Sequence, residues 1–266
     1  MGFDAPLARF PLLLSRQLAA WFRREGAPRG DCAAVGVSVS GQVDASRERV
    51  LDCAELALHD YPLAREWARH FPSPVHVYNG LQAEALCHLT NPVRPGGESF
   101  VYVRLQGLPV AGGHRVSGTE SAIVLRGSLY TGARGQAGRL LGKLNHDPQV
   151  VLSEADLARL ADAGAGGSAG LDELARELGQ LILGMMGWLD VDRVILGGAL
   201  IPRNEYFMST LNARVRDGWP GMPPGPEPRV QSTRLDSPAA AHSAGLLACE
   251  WAPAGGPRAA PHTTRA

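Results

Sequence analysis

Chemistry in this chain has to come from carboxylates, a few histidines and glycine turns, because its four cysteines are badly placed for it. Cys32, Cys53, Cys87 and Cys249 lie too far apart for a CxxC redox pair or a zinc knuckle, and read as small buried apolar residues. Glycine turns can present backbone N–H groups to a phosphate, since a Cβ would block close approach. The sequence holds a glycine-rich stretch from Gly107 to Gly118 and a glycine pair, Gly197-Gly198, after the apolar run Val194-Ile195-Leu196. A glycine pair after a buried strand is also what a tight turn needs. With 32 glycines and 20 prolines in the chain, one glycine alone is weak evidence for a phosphate loop. His146, alone in a loop, reads as a surface residue. Asn79-Gly80 closes a second apolar run, Val75-His76-Val77-Tyr78, and leads directly into a helical pattern.

The elements that would carry these residues alternate between strand and helix. A helix is expected from Leu12 to Glu25, with Leu14, Leu18, Trp21 and Phe22 on one face, arginines on the other, and Gly26 ending it. Ala33 to Ser40 reads as a buried strand turning out at Gly41-Gln42-Val43-Asp44. Leu51 to Leu58 reads as irregular or short helix, Pro62 to His70 as helix, Val75 to Asn79 as strand and Leu81 to Leu89 as helix. Asn91 to Gly97 has linker composition and marks a domain boundary. Beyond it, Phe100 to Leu105 is a strand, the stretch from Gly107 reads as a flexible insertion, and Ala122 to Tyr130 folds as strand, turn and strand about Arg126-Gly127. Ser153 caps a short helix to Ala161, and a flexible run from Ala163 to Gly170 precedes the longest helix, Asp172 to Leu189. A strand to Gly198, a helix from Glu205 to Asp217, an edge strand Arg229 to Thr233 and a helix from Pro238 to Trp251 complete an α/β pattern. The domains expected are 1–95, 96–252 and a disordered tail, 253–266.

Composition narrows the function classes. With 26 basic and 26 acidic residues the formal net charge is zero, which excludes a generic electrostatic grip on nucleic acid or anionic membrane. No apolar run reaches the roughly 18 residues of a spanning helix, and the first residues lack the basic start and cleavage site of a signal peptide. A cytoplasmic location is the expectation.

Five segments in order carry a family resemblance. Gly36-Val37-Ser38-Val39-Ser40-Gly41-Gln42-Val43-Asp44 resembles the "G-x-x-x-P-G-x-V-D" strand-turn of the ROK family (repressors, open reading frames, sugar kinases), and Val75 to Gly80 resembles its "V-x-V-E-N-D" motif. Phe100 to Val103, Leu125 to Gly138 and Val194 to Gly198 match the family's second domain in order and spacing. The similarity runs from about residue 12 to 251. It implies an α/β, actin-like (ribonuclease H-like) two-domain ATPase/sugar kinase fold. The first domain is expected to be incomplete, because in the family three strands precede the opening helix and lie beside the strand Ala33–Ser40. Such a strand would keep an open apolar edge.

The resemblance also assigns sites. Asn79 and Gly41 fall at sugar-binding positions, and Gly118, Gly197 and Gly198 at nucleotide-binding ones. The family's catalytic carboxylate, which takes the proton from the attacking hydroxyl, falls at Gly80, which has no side chain. Asp44, Glu84 and Asp147 are the nearest acids in sequence. The family's phosphate loop "G-T-G-I-G-G-G" falls on Val116 to Ala122, where only Gly118 is kept and Glu120 would repel a phosphate. Arg139 stands where the family's sugar-binding Glu belongs, and the zinc cluster has no counterpart between Leu144 and Leu157, so no metal is expected. Scaffold positions are kept while chemical positions are not. The reading that follows is a non-catalytic ROK-type protein, a sugar-sensing effector domain of the transcriptional-regulator type without its own helix-turn-helix. A small sugar or sugar phosphate is the expected ligand, homo-oligomers are expected, and neither membrane nor direct DNA contact is. The alternative is an ATP-dependent hexose kinase with a displaced site, for which alone ATP and Mg would be cofactors. A scaffold-only oligomerisation module is the third possibility.

Overall fold

A computed structural model describes residues 9–26, 32–44, 46–89, 98–133, 137–138, 150–219 and 227–233. The chain divides into two compact units, 1–84 with 238–266, and 85–237. The linker assigned to Asn91–Gly97 and the helix expected from Pro238 lie outside the described residues, as do Arg139, His146 and Asp147.

In the first unit, helix α1 (Phe10–Arg24) starts with Pro11 in its first turn, where a missing N–H costs nothing. Its inner face reaches α2 (Leu63–Ala68): the Phe10 and Trp67 rings are 5.7 Å apart, and the Ser15 hydroxyl donates to the His70 carbonyl at 2.7 Å. Strands β1 (Val35–Val39) and β5 (Val75–Asn79) pair in parallel, Val37 opposite Val77. Only Val39 of β1 is fully buried, so the expectation of a buried strand is corrected. Among the described residues β1 pairs with β5 alone, and Val35 to Ser38 are half exposed on both faces of the strand. Strands β2 (Gln42–Val43), β3 (Val50–Cys53) and β4 (Leu58–Tyr61) form a separate antiparallel sheet. The segment 51–58, expected to be irregular or helical, is therefore strand, a single 3-10 turn, and strand. Ala57 reverses the chain there with a left-handed φ of 50°.

The second unit is a six-stranded sheet ordered β11 (Arg229–Ser232), β10 (Arg193–Gly198), β6 (Phe100–Val110), β7 (Gly113–Leu125), β8 (Ser128–Tyr130), with β9 (Val151–Leu152) on β7. β10 runs parallel to both β6 and β11, and the hairpins are antiparallel. The stretch from Gly107 is not a flexible insertion. It is the outer half of the β6–β7 hairpin, registered from Gly107 opposite Val116 to Val110 opposite Gly113. Arg126 (φ 52°) and Gly127 (φ 76°) make the tight turn into β8 as their spacing predicts.

Helices α4 (Glu154–Ala161), α5 (Ala169–Leu189) and α6 (Glu205–Gly218) complete this unit. Ser153 and Asp156 form a reciprocal capping box on α4. Ser168, inside the run expected to be flexible, caps α5 and starts it three residues earlier than the sequence suggests. Leu171, Leu174, Leu178, Ile182 and Met186 repeat at three- and four-residue spacing and are all buried with Val101, Val103, Val194 and Leu196 in one core. Among the described residues no helix is long and apolar enough to cross a membrane.

Candidate functional site

In the first unit the two residues assigned to sugar meet directly. The β5 strand ends at Asn79, whose side-chain amide donates to the Gly41 carbonyl at 2.6 Å. Its Oδ1 accepts the Gln82 backbone N–H at 3.1 Å, which caps helix α3 (Gly80–Leu86). Gly41 sits so close to β3 that a Cβ there would strike the Asp52 carbonyl and come 2.7 Å from the Cys53 Cβ. Asn79 thus pins the β1–β2 turn to the start of α3. Gly80 occupies the strand-to-helix junction itself.

Asp44 is not a spare base. It accepts the backbone N–H of Glu48 at 2.9 Å and of Arg49 at 2.8 Å, and the Ser46 hydroxyl. Burial alone would raise its pKa, but hydrogen bonds from Ser46, Arg49 and Glu48 outweigh it and hold the carboxyl below its ordinary value. Its acceptor sites serve the 44–49 loop. Above it, the Arg47 guanidinium lies 4.8 Å from the Tyr78 ring centre.

In the second unit the three glycines assigned to a nucleotide come to one level of the sheet. Gly198 pairs with Leu105 across β10–β6. The β6–β7 register slips between Arg104 and Gln106, which leaves Gly118 and Thr119 together opposite the same Leu105. Gly118 therefore stands in a bulged strand rather than at the tip of a loop. The ion pair Arg104–Glu120, at 3.8 Å, spans the strands beside it.

The glycine pair also has packing reasons. A Cβ on Gly197 would strike the Tyr102 phenol, and one on Gly198, whose φ is 99°, would strike the Leu105 carbonyl. Tyr102 stacks on His88 with ring centres 5.4 Å apart, and His88 Nε2 lies 3.1 Å from the Thr233 hydroxyl. Burial, and after it the Arg193 charge, pushes the His88 pKa down to about 4, so the ring is neutral at pH 7.

A cleft of about 820 Å³ opens beside these residues, lined by His88, Ile195, Pro202, Met208, Ser232 and Thr233 among others. It runs along the paired strands β10 and β11, at Ile195 of the first and Val230 to Thr233 of the second. Two asparagines that sequence reasoning passed over lie here, Asn212 in the lining and Asn204 between the lining residues Arg203 and Glu205. Asn212 closes on β11 in both directions, donating to the Val230 carbonyl and accepting its N–H, each at 2.9 Å. Asn204, fully buried, caps α6 through the Phe207 N–H at 2.7 Å and donates to the carbonyls of Arg159, Asp162 and Ala165. An Asn directly before a helical pattern is a legible cap; its three distant carbonyls are not. Ser232 Oγ, also on the cleft, is buried and has no hydrogen-bond partner among the described residues. Among the described residues no group of three or more His, Cys, Asp or Glu is gathered to hold a metal.

The second unit is thus a mixed sheet with a glycine pair ending β10 and a bulged hairpin beside it, and the resemblance implies an actin-like sugar-kinase fold. Comparison with solved structures bears this out. The chain is similar to a ROK hexokinase from Thermus thermophilus at 21% identity and a TM-score of 0.62, with 90% of this chain and 85% of that one covered. It is similar to a ROK family glucokinase from Streptomyces griseus, solved with glucose and AMPPNP, at 19% identity and 0.63, with 92% and 89% covered. It is also similar to a ROK family transcriptional regulator, a homolog of the E. coli MLC protein, at 16% and 0.57, with 90% and 67% covered. No family model and no curated protein sequence matches. The chain therefore has the fold of ROK kinases and of a ROK regulator, as its sequence motifs imply.

Proposed function

We propose that the chain is a ROK-family protein that binds a small sugar without phosphorylating it, an effector domain of the regulator type. The observation that carries this is Gly80. Phosphoryl transfer to a hydroxyl needs a carboxylate poised to take its proton, and the β5–α3 junction where the resemblance puts that carboxylate offers only an α-carbon. Two features support it. Asp44, one of the acids the sequence offers as a substitute base, is held by three hydrogen bonds from its own loop. The segment from Val116 to Ala122, which would have to wrap phosphates, is hydrogen-bonded strand with an acid at Glu120. The Asn79–Gly41 pair is kept, and it is the part of the site that would meet sugar hydroxyls. In this reading the protein forms homo-oligomers and requires neither metal nor ATP.

The competing reading is an ATP-dependent hexose kinase with a displaced base. The cleft lined by His88, Met208 and Thr233 favours it, as a space in the second unit that could take a nucleoside. A coupled ADP-release assay over glucose, N-acetylglucosamine and xylose separates the two. The proposal expects no release above background for any sugar, together with a sugar-dependent rise in melting temperature. Sustained sugar-dependent ADP release would overturn it.

A further inference from the structure

Helix α1 exposes side chains that a surface helix ordinarily buries. Its fully buried residues are Pro11, Ser15, Ala19 and Phe22, with Phe10, Leu14 and Leu18 packed partly buried against the core of the first unit. Leu12, Leu13 and Trp21 stand outside, 40%, 41% and 44% exposed. The sequence puts Trp21 on the inner face; the structure turns it outward, edge-on to the Phe22 ring with centres 5.1 Å apart. Between these side chains runs a row of exposed arginines, Arg9, Arg16 and Arg23. Seven-residue spacing sets them about 10.5 Å apart along the axis, drifting only about 20° per step. Leu12 flanks the row on one side, Leu13 and Trp21 on the other. Among the described residues none of the three guanidinium groups has a hydrogen bond or ion pair, whereas Arg24 pairs with Glu25 at 3.0 Å. The helix holds no acidic residue, and Arg9 stands at its amino end, where the helix dipole disfavours a cation.

We propose that this face of α1 lies on an anionic lipid surface, at the level of the phosphate headgroups. Zero net charge excludes an electrostatic grip by the molecule as a whole, but on α1 positive charge is segregated onto one face. The partner's chemistry follows from what is mixed on that face. A row of unpaired arginines calls for phosphates, which guanidinium groups bind through paired hydrogen bonds. Leu12, Leu13 and Trp21 call for an apolar layer within a side chain's length of those phosphates. A bilayer interface supplies both, and tryptophan is enriched at that depth. The apolar stems of the arginines let their charged ends stay among the headgroups while the leucines and the indole enter the layer beneath. A nucleic-acid backbone would supply the phosphates without the apolar layer. The inference is independent of the sugar reading above.

Co-sedimentation of the full chain with phosphatidylcholine vesicles, with and without one third phosphatidylglycerol, tests this at low salt and at about 0.5 M salt. The variants are Arg16→Gln, Arg23→Gln, the two together, and Trp21→Ala. Arg216→Gln, an exposed arginine of the second unit, is the control. All are surface changes, and circular dichroism without vesicles should show an intact fold. The expected result is binding to the phosphatidylglycerol vesicles alone, lost at high salt. Each arginine variant should lower the partition coefficient about 5-fold and the double variant about 25-fold, with Arg216→Gln unchanged. Trp21→Ala should lower it while leaving its salt dependence as in wild type. Absence of binding to the anionic vesicles at low salt overturns the proposal, as does a loss in Arg216→Gln equal to that in the α1 variants. Salt-dependent binding to duplex DNA, with none to these vesicles, gives the face to nucleic acid and overturns it too.

Discussion

Replacing Asn204 by alanine should cost the second unit far more than an ordinary helix cap. A cap alone contributes about 1 kcal/mol. Here the side chain is fully buried and makes four hydrogen bonds, one to the Phe207 N–H and three to carbonyls. Two of those carbonyls keep another partner, because Arg159 O also accepts from Asp162 N and Asp162 O from Ala165 N. The buried Phe207 N–H loses its partner with nothing at hand to replace it, whereas the half-exposed Ala165 carbonyl can turn to water. A buried orphan costs about 1–3 kcal/mol, and the lost bonds to the three carbonyls add about 1 kcal/mol, which gives about 2–4 kcal/mol in all. Against a domain stability of about 5–15 kcal/mol, that is a large part of the whole. Urea unfolding followed by circular dichroism measures it, with the denaturant slope checked for constancy. Asn204→Asp is the informative companion. It keeps the Oδ1 acceptor for Phe207 but turns a second lone-pair oxygen toward three carbonyls, so it should destabilise at least as much at pH 7. A loss below about 1 kcal/mol for Asn204→Ala, or an Asp variant as stable as wild type, would refute the reasoning that this side chain ties α4, the α4–α5 loop and α6 together.

His88 makes stability depend on pH in a defined window. Its folded pKa is about 4 against an ordinary 6.5, so the unfolded chain binds the proton first; the stability is present above pH 6.5 and is lost as pH falls toward 4. The full shift would correspond to about 3 kcal/mol, and partial exposure of the ring reduces this to roughly 1–2 kcal/mol by solvent screening. His88→Phe, which keeps the stack on Tyr102, should flatten the dependence between pH 4 and 6.5 in denaturant titrations. Gly80→Asp restores a carboxylate at the β5–α3 junction, yet hexose-dependent ADP release should stay at background, because the strand at 116–122 still offers no phosphate loop. Turnover in that variant would mean that the base alone was missing.

What the sequence reveals here is what is local. The capping box at Ser153–Asp156, the Arg126-Gly127 turn and the apolar period of α5 are each set within one or two turns of chain, and all three are where the sequence puts them. The family motifs extend this to the fold because their order fixes the strand order. The outer half of the β6–β7 hairpin was hidden because glycines and a proline there read as a loop. Its pairing comes from register carried outward from the buried pairs Val101–Ile123 and Tyr102–Ala122. The β3–β4 hairpin was hidden for the opposite reason: Ala54–Leu56 looks helical, and one left-handed residue, Ala57, turns it. In the candidate site, Asn79 and Gly41 were legible as residues, but their mutual bond was not. The His88–Tyr102 stack and the bond from His88 to Thr233, 145 residues away, are tertiary facts with no local signature.

The central claim, binding without phosphoryl transfer, meets its most direct test in isothermal titration calorimetry of the full chain with glucose, and then with N-acetylglucosamine and xylose, in the presence of ATP and Mg. One trace reads both events. The account predicts injection peaks for at least one sugar that saturate with concentration and return to the starting baseline after each addition, unchanged when ATP is left out. A baseline that steps to a steady exothermic level on sugar addition, and does so only with ATP present, is turnover and would contradict it.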